Sequence, residues 1–362
     1  MNQTEREPAG AEVFDVLIVG AGPTGLACAV EARKAGLKAV NVDKGCLVNS
    51  LFHYPANMTF FTTPELLEIG ELPFPSPHQK PTRQEALEYY RKVAEHYQLP
   101  VRQYQEVVRV EGRDGKFRVF TVDLHERSHE YCARKLVVAS GYYDRPNLLR
   151  VPGEELPKVF HYYREPHPYF DCDVLVVGGK NSAAIAALEL WRHGARVTLV
   201  HRGPGMHPHV KYWIKPDIEN RIKAGQVAAY FHSTVATIGL DEVVLKTPTA
   251  EVRLANDFVF AMTGYHPDFT FLCQLGVELR ARNGGASGDV RAPIPDASLP
   301  GVDVCPVCDS KTLESNVPGI YLAGVIVAGS RTNEIFIENG RFHGRQIAVD
   351  IKHKLAMRST VQ

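Results

Sequence analysis

The chain has 362 residues, with 41 Lys plus Arg against 41 Asp plus Glu, so its formal net charge is zero. Balanced charge removes the electrostatic reason to expect nucleic acid or an anionic membrane as partner. No apolar run reaches the ~20 residues that cross a bilayer, and the length leaves room for two domains with buried cores. Seven cysteines, Cys28, Cys46, Cys132, Cys172, Cys273, Cys305 and Cys308, are odd in number and scattered. That is no secreted disulfide framework, and it points to a reducing cytoplasm.

Met1 to Val13 mixes Glu, Arg and Pro with small residues and lacks the apolar core of a signal peptide; it reads as a frayed leader. A strand is expected from Phe14, its run Val16–Val19 ending at Gly20. A helix from Gly25 to Ala35 and a second strand, Leu37–Val42 after Gly36, complete a βαβ unit of about 30 residues. Residues 81–98 read as an amphipathic helix: Thr82 and Glu85 make a capping box, and Leu87, Tyr90, Val93 and Ala94 share a face. Val101 to Val138 is β-rich, with an Asp114-Gly115 turn between Val107–Val110 and Phe117–Val122. A second βαβ unit comes next, with strand Val174–Val177, helix Asn181–His193 and strand Arg196–Val200. Residues 283–301, rich in Gly and Pro, read as a loop; strand Ile320–Leu322 and a final helix from about Thr332 to Leu355 close the chain. The fold class is α/β, with two Rossmann-like dinucleotide-binding domains. The expected boundaries are 1–150 and 270–362 for the first domain and 151–269 for a second inserted in it.

The chemistry sits in two glycine loops. Gly20-Ala21-Gly22-Pro23-Thr24-Gly25 lies between strand and helix, and Asp43 stands at the end of the second strand. Gly20 makes the tight turn, Gly22 lets backbone amides approach a pyrophosphate, and Gly25 permits close helix–strand packing. The helix N-terminus faces the phosphates, and Asp43 accepts from ribose hydroxyls. In the second loop, Gly178-Gly179-Lys180-Asn181-Ser182-Ala183, Lys180 takes the middle glycine's place and Ala183 the third's. The acid is absent there, and His201-Arg202 stands instead. A carboxylate repels a 2′-phosphate whereas a guanidinium binds it, which argues for NADP(H) over NAD(H).

Two dinucleotide folds in one chain imply electron traffic between two cofactors, FAD on the first unit and NADPH on the second. Gly319-Ile320-Tyr321-Leu322-Ala323-Gly324 looks like the strand that contacts the ribityl chain in such flavoproteins, and the helix after it would point its N-terminus at the flavin. Ala139-Ser140-Gly141 and Thr263-Gly264 end apolar strands, Lys135–Val138 and Asp257–Met262, and resemble the crossings between domains.

These features together resemble the pyridine nucleotide–disulfide oxidoreductases in their low-molecular-weight, thioredoxin-reductase-like form, over Phe14 to about Lys354. Four stretches carry a narrower resemblance, to the bacillithiol-disulfide (bacilliredoxin) reductase family: Leu47–Ser50, Tyr54–Phe61, Gly178–Ala183 and Glu334–Gly344. The resemblance implies a cytoplasmic FAD enzyme that uses NADPH to reduce bacillithiol disulfide or a redoxin, as a homodimer or higher homo-oligomer. It implies further FAD contacts at Lys44, Asn49, Ser50, Val108, Gly324 and Val325. Three departures stand out. Val159–Arg164, where thioredoxin reductases carry their CxxC, has no cysteine. Thr24 stands where many members of the branch have Cys, and Val325 where the wider superfamily has a flavin-contacting Asp.

Cys305-Pro306-Val307-Cys308 is the one CxxC of the sequence. It reads as incidental loop cysteines, a redox pair, or half of a metal site shared across subunits. His207 and His209, near His201, read as loop or nucleotide contacts, and no metal site is expected. Tyr162–Tyr163 and Phe60–Phe61 read as core or flavin-pocket packing. Three rival functions are open: a flavin monooxygenase, whose linker fingerprint Phe160-His161 and His167-Pro168 match without the central glycine; a ferredoxin–NADP reductase; and a flavin-loaded redox sensor without turnover.

Overall fold

The computed structural model describes residues 12–282 and 303–359. Most of the expected leader and the loop at 283–301 lie outside these. The chain divides into two units, one of Met1–Phe52, Thr59–Arg145 and Tyr265–Gln362, the other of His53–Met58 and Pro146–Gly264.

In the first unit, β1 (Val13–Val19) leads through the glycine loop into α1 (Pro23–Lys34). Pro23 starts the helix where its missing N–H has no intrahelical partner to lose, and Arg33 and Lys34 sit at the negative end of the dipole. β2 (Ala39–Val42) pairs parallel with β1 from Val16↔Ala39 to Val19↔Val42. It starts later than the apolar pattern, because the Leu37 N–H is still committed to Ala32 O at the helix end, 2.9 Å away. α2 (Arg83–His96) has the expected capping box: Thr82 Oγ1 accepts from Glu85 N at 3.2 Å, and the Glu85 carboxylate accepts from Thr82 N at 2.7 Å.

β3 (Val101–Arg102) adds to β2, and β4 (Gln105–Arg113), β5 (Lys116–Asp123) and β6 (Ser128–Val138) form an antiparallel meander. Asp114-Gly115 turns between β4 and β5, as expected. The two strands outrun their apolar cores because hairpin ends pair through backbone alone. The C-terminal half of β6 leaves the meander and pairs parallel with β1, Val13↔Cys132 to Val19↔Val138. Side chains of β1 alternate between two cores. Leu17 joins Val40, Val42, Leu136 and Val138, while Val16 and Ile18 join Cys28, Ala29, Ile347 and Ile351.

In the second unit, β7 (Val159–Phe160), β8 (Asp173–Val177), β9 (Arg196–His201), β10 (Ala228–Phe231) and β14 (Phe258–Ala261) form a parallel sheet in the order β10-β9-β8-β14-β7. α3 (Asn181–Arg192) crosses over from β8 to β9, and α4 (Lys215–Lys223) precedes β10. Between β10 and β14 lies a three-stranded antiparallel sheet of β11 (Thr234–Ile238), β12 (Glu242–Lys246) and β13 (Glu251–Ala255).

The chain then returns to the first unit, where β15 (Leu279–Ala281) pairs with β16 (Val304–Pro306) and β17 (Ile320–Leu322) pairs parallel with β6. The single helix expected from Thr332 is broken. A 3₁₀ turn (Gly324–Ala328), an irregular stretch and a one-turn helix (Ile337–Gly340) precede α5 (His343–Ser359). The Asn339 side chain holds the irregular stretch, accepting from Phe336 N at 2.7 Å and donating to Glu334 O at 3.2 Å. α5 then packs against α1 through Gly344, where a Cβ would lie 2.7 Å from Ala27 O.

Candidate cofactor-binding sites

Gly20 has φ +111°, and a Cβ on it would lie 2.4 Å from Ala139 O. A Cβ on Gly25 would lie 2.2 Å from Gly20 O. Both positions therefore demand glycine. Gly22 differs, because a Cβ there would meet nothing within 4 Å. It caps α1 without a side-chain hydrogen bond, and the first turn carries no acid. The 12-residue helix thus begins without a side-chain cap beside the open approach at Gly22, an arrangement that suits a pyrophosphate.

Asp43 sits beside this loop. Its Oδ2 accepts from Ala21 N at 2.7 Å and its Oδ1 from Gly45 N at 2.8 Å. Burial nevertheless raises its pKa, with those two bonds opposing the shift. Around it the fold gathers most residues expected at the FAD site. Lys44 pairs with Asp144 at 3.1 Å, and a Cβ on Gly45 would collide with the Asn49 amide. Ser50 Oγ stands 3.9 Å from where a Gly141 Cβ would lie, and Gly20 abuts Ala139 and Ser140. Gly324 approaches Thr24, whose Oγ1 would lie 3.1 Å from a Cβ on Gly324 and equally close to one on Gly340. Val325 is next in the 3₁₀ turn, half-buried. Val108 stands apart on β4, exposed, as the extra residue of a bulge between Val107 and Arg109.

Two polar residues at this site were not among the expected site residues. Asn41, wholly buried in β2, donates through Nδ2 to Gly20 O at 3.0 Å and to Gly25 O at 3.1 Å, so it holds both ends of the glycine loop. His343 accepts the Gly324 N–H on Nδ1 at 3.0 Å, which leaves Nε2 to carry the ring proton, and burial lowers its pKa.

The second loop repeats the first with different residues. Gly178 has φ +149°, and a Cβ on it would lie 2.5 Å from Met262 O and 2.9 Å from the Ala183 Cβ. Gly178 N donates to Val200 O at 2.9 Å, as Gly20 N donates to Val42 O at 2.8 Å. Lys180 is exposed at the cap of α3, Asn181 and Ser182 open the helix, and its first turn carries no acid. The His201 ring covers Gly179, where a Cβ would lie 2.5 Å from Nε2. The loop after β9 folds back over the glycines: His207 N donates to Gly179 O at 2.8 Å, and Lys211 N to Asn181 Oδ1 at 2.9 Å. Arg202 is exposed and pairs with no carboxylate among the described residues. Burial, then Arg202, His207 and Lys180, lower the His201 pKa; burial, then Lys180, His209 and Lys215, lower that of His207. A corner so rich in cations suits a phosphate. Asn147, unmarked in the sequence, fixes Thr263-Gly264: its N donates to Gly264 O at 2.9 Å, and Thr263 Oγ1 donates to Asn147 O at 2.5 Å.

All seven cysteines are free. Cys305 lies on β16 and Cys308 just beyond it; burial, then Cys305 and Asp309, raise the Cys308 pKa. No group of three or more potential metal ligands occurs among the described residues, and none of their helices is long and apolar enough to cross a membrane.

The sequence matches the family model described as pyridine nucleotide-disulphide oxidoreductase over residues 17–286. Bacilliredoxin reductase Bdr of Bacillus subtilis is 43% identical over 336 residues, 92% of this chain and 96% of that protein. The solved structure of the bacillithiol disulfide reductase Bdr (YpdA) from Bacillus cereus superposes with a TM-score of 0.87 at 41% identity, covering 95% of this chain and all of that one. Thioredoxin reductase of T. acidophilum shares the fold, with a TM-score of 0.69 at 22% identity over 95% of this chain and 99% of its own. The chain belongs to the pyridine nucleotide-disulphide oxidoreductase family and is an FAD- and NADPH-using, disulfide-reducing flavoenzyme with the thioredoxin-reductase-like fold.

Proposed function

We propose that this enzyme reduces bacillithiol disulfide, or the mixed disulfide carried by a redoxin, at the expense of NADPH. The observation that carries the reading is its 43% identity, over 92% of the chain, with an enzyme named as a bacilliredoxin reductase. When bound, NADPH supplies a hydride and FAD passes its two electrons to the disulfide. The protein's own part is placement and electrostatic tuning. In this reading Gly20, Gly22, Pro23, Thr24 and Gly25 cradle the FAD pyrophosphate, and Asp43 takes the ribose. Lys44, Asn49, Ser50, Val108, Ala139, Ser140, Gly141, Gly324 and Val325 complete the FAD site. The segment Gly178–Ala183, with Thr263 and Gly264, holds NADPH, and His201 and Arg202 read its 2′-phosphate. The FAD domain is then 1–150 with 270–362, and the NADPH domain 151–269.

No dithiol of the chain takes part. Val159–Arg164 lacks cysteine and position 24 is Thr. Cys308 has its thiol pushed away from the thiolate that reacts. The enzyme works in the cytoplasm as a homodimer or higher homo-oligomer; scattered free cysteines support the first part of that statement. The test is stopped-flow reduction of the FAD-loaded protein by NADPH, then reoxidation in parallel by bacillithiol disulfide, ferredoxin and oxygen. Fast reoxidation by the disulfide is expected. A reduced flavin that ignores the disulfide and returns its electrons to ferredoxin or oxygen refutes the assignment.

A further inference from the structure

An open groove of about 540 Å³ runs along the outer face of α5, between that helix and the turn at Lys311 and Thr312. Its apolar part is Phe342, just before α5 and 58% exposed, and Val349 on α5, 65% exposed, two large side chains left to water. Its charged part is one-sided. Lys311 and Arg345 line it, and exposed Lys352 lies on the same helix. None of these cations pairs with a carboxylate among the described residues. The one acid that lines the groove, Asp350, and Asp309 beside Lys311 are already engaged. Asp350 accepts from Tyr321 Oη at 2.6 Å and pairs with Lys354 at 2.7 Å. Asp309 accepts from the Lys311 and Thr312 amides at 2.9 and 2.8 Å.

One end of the groove adjoins, along the chain, residues that touch the glycine-loop region of the same unit. Phe342 at its end precedes His343, which takes the Gly324 N–H, and Gly340 just before abuts Thr24. We infer that this groove docks the redoxin partner, through a surface on that protein that combines an apolar patch with acidic side chains. The inference rests on the functional reading above. Charge complementarity selects the occupant. A second copy paired two-fold about Val349 would set Arg345 and Lys352 of one chain against the same cations of the other, and like charges across an interface are costly. An acidic partner meets them with opposite charge, while Phe342 and Val349 supply the apolar centre.

The test uses the FAD-loaded full chain and its Arg345→Glu/Lys352→Glu variant, both sites being exposed. NADPH oxidation is followed with two acceptors, a bacillithiolated bacilliredoxin and bacillithiol disulfide itself, at low and moderate salt; sedimentation velocity records the oligomeric state. The variant's KM for the redoxin should rise at least ~10-fold and lose its salt dependence, while kcat/KM for the small disulfide stays within ~2-fold. Equal changes with both acceptors, or none with either, overturn the docking assignment. A wild-type oligomer that falls apart in the variant assigns the face to a second copy and also overturns it. A wild-type enzyme that turns over neither disulfide overturns the functional reading, and this inference with it.

Discussion

Asn41 gives the sharpest handle on the first cofactor site, because its role is to hold the backbone of the glycine loop from a buried position. Its Nδ2 is shared between Gly20 O and Gly25 O at 3.0 and 3.1 Å in a fully buried position. Asn41→Ala removes both bonds. Gly25 O lies within α1 and keeps its place in the helix ladder, so the main loss is at Gly20 O. A buried carbonyl left without a donor costs about 1–3 kcal/mol, and the small cavity adds about 1. We expect ~2–4 kcal/mol, or roughly 4–16 °C in Tm for a unit of this size, together with weaker FAD retention. Asn41→Asp separates this account from mere packing. It keeps the shape but sets an acceptor against two carbonyls, so only the protonated form donates. Its folded pKa is then raised above the unfolded value. The stability it contributes is present at low pH and is lost as pH rises through the folded pKa. Scanning fluorimetry of wild type, Asn41→Ala and Asn41→Asp from acid to neutral pH, with FAD content measured by absorbance, reads all of this. An Asn41→Asp protein that melts within about 1 °C of wild type at neutral pH and keeps its FAD refutes the argument.

Three further outcomes are expected. Arg202→Ala should lower kcat/KM for NADPH roughly 10–150-fold, from the loss of a charge-assisted bond of about 1.5–3 kcal/mol, and leave NADH nearly unchanged; equal losses would mean that Arg202 does not read the 2′-phosphate. The double substitution Cys305→Ser and Cys308→Ser should keep flavin reduction by NADPH, and turnover with the disulfide within a few-fold. Intact reduction with abolished turnover would instead make the pair an electron relay. Burial lowers the His343 pKa, so below the unfolded value near 6.5 the unfolded chain binds a proton that the folded ring refuses, and stability falls as pH drops. In His343→Gln that share of the acid sensitivity should vanish, which a Tm series from neutral to mildly acid pH measures; an unchanged slope would show that His343 carries none of it.

The parts of the fold legible in the sequence are those that depend on near neighbours. Both βαβ units, the Thr82–Glu85 capping box and the Asp114-Gly115 turn arise from residues a few positions apart. The elements between His201 and Phe258 were not legible. Their strands run only four or five residues and, unlike the equally short β2, β8 and β17, adjoin no glycine motif that marks where they begin or end. The C-terminal helix was half legible. Its apolar spacing is real, but the break before His343 comes from the Asn339 side chain taking backbone partners and from Gly344 closing on α1. Neither cause leaves a periodic trace.

The candidate sites divide in the same way. Glycines are readable because sterics allow few alternatives, whereas Asn41 left only the mild sign of one amide inside the run Ala39–Val42, and Asn147 left none. The two loops also show what a glycine fingerprint stands for. Read by letters, Gly178–Ala183 is a degraded copy of Gly20–Gly25. Read by distances, the constant is the first glycine, where a Cβ would lie 2.4 Å from Ala139 O in one unit and 2.5 Å from Met262 O in the other, each a carbonyl just past the adjoining parallel strand. The third position answers to it. At Gly25 the carbonyl of Gly20 fills the place of a Cβ, so no side chain fits. At Ala183 the methyl instead fills the space that a side chain on Gly178 would need, 2.9 Å away. The same turn therefore tolerates alanine in one unit and excludes it in the other.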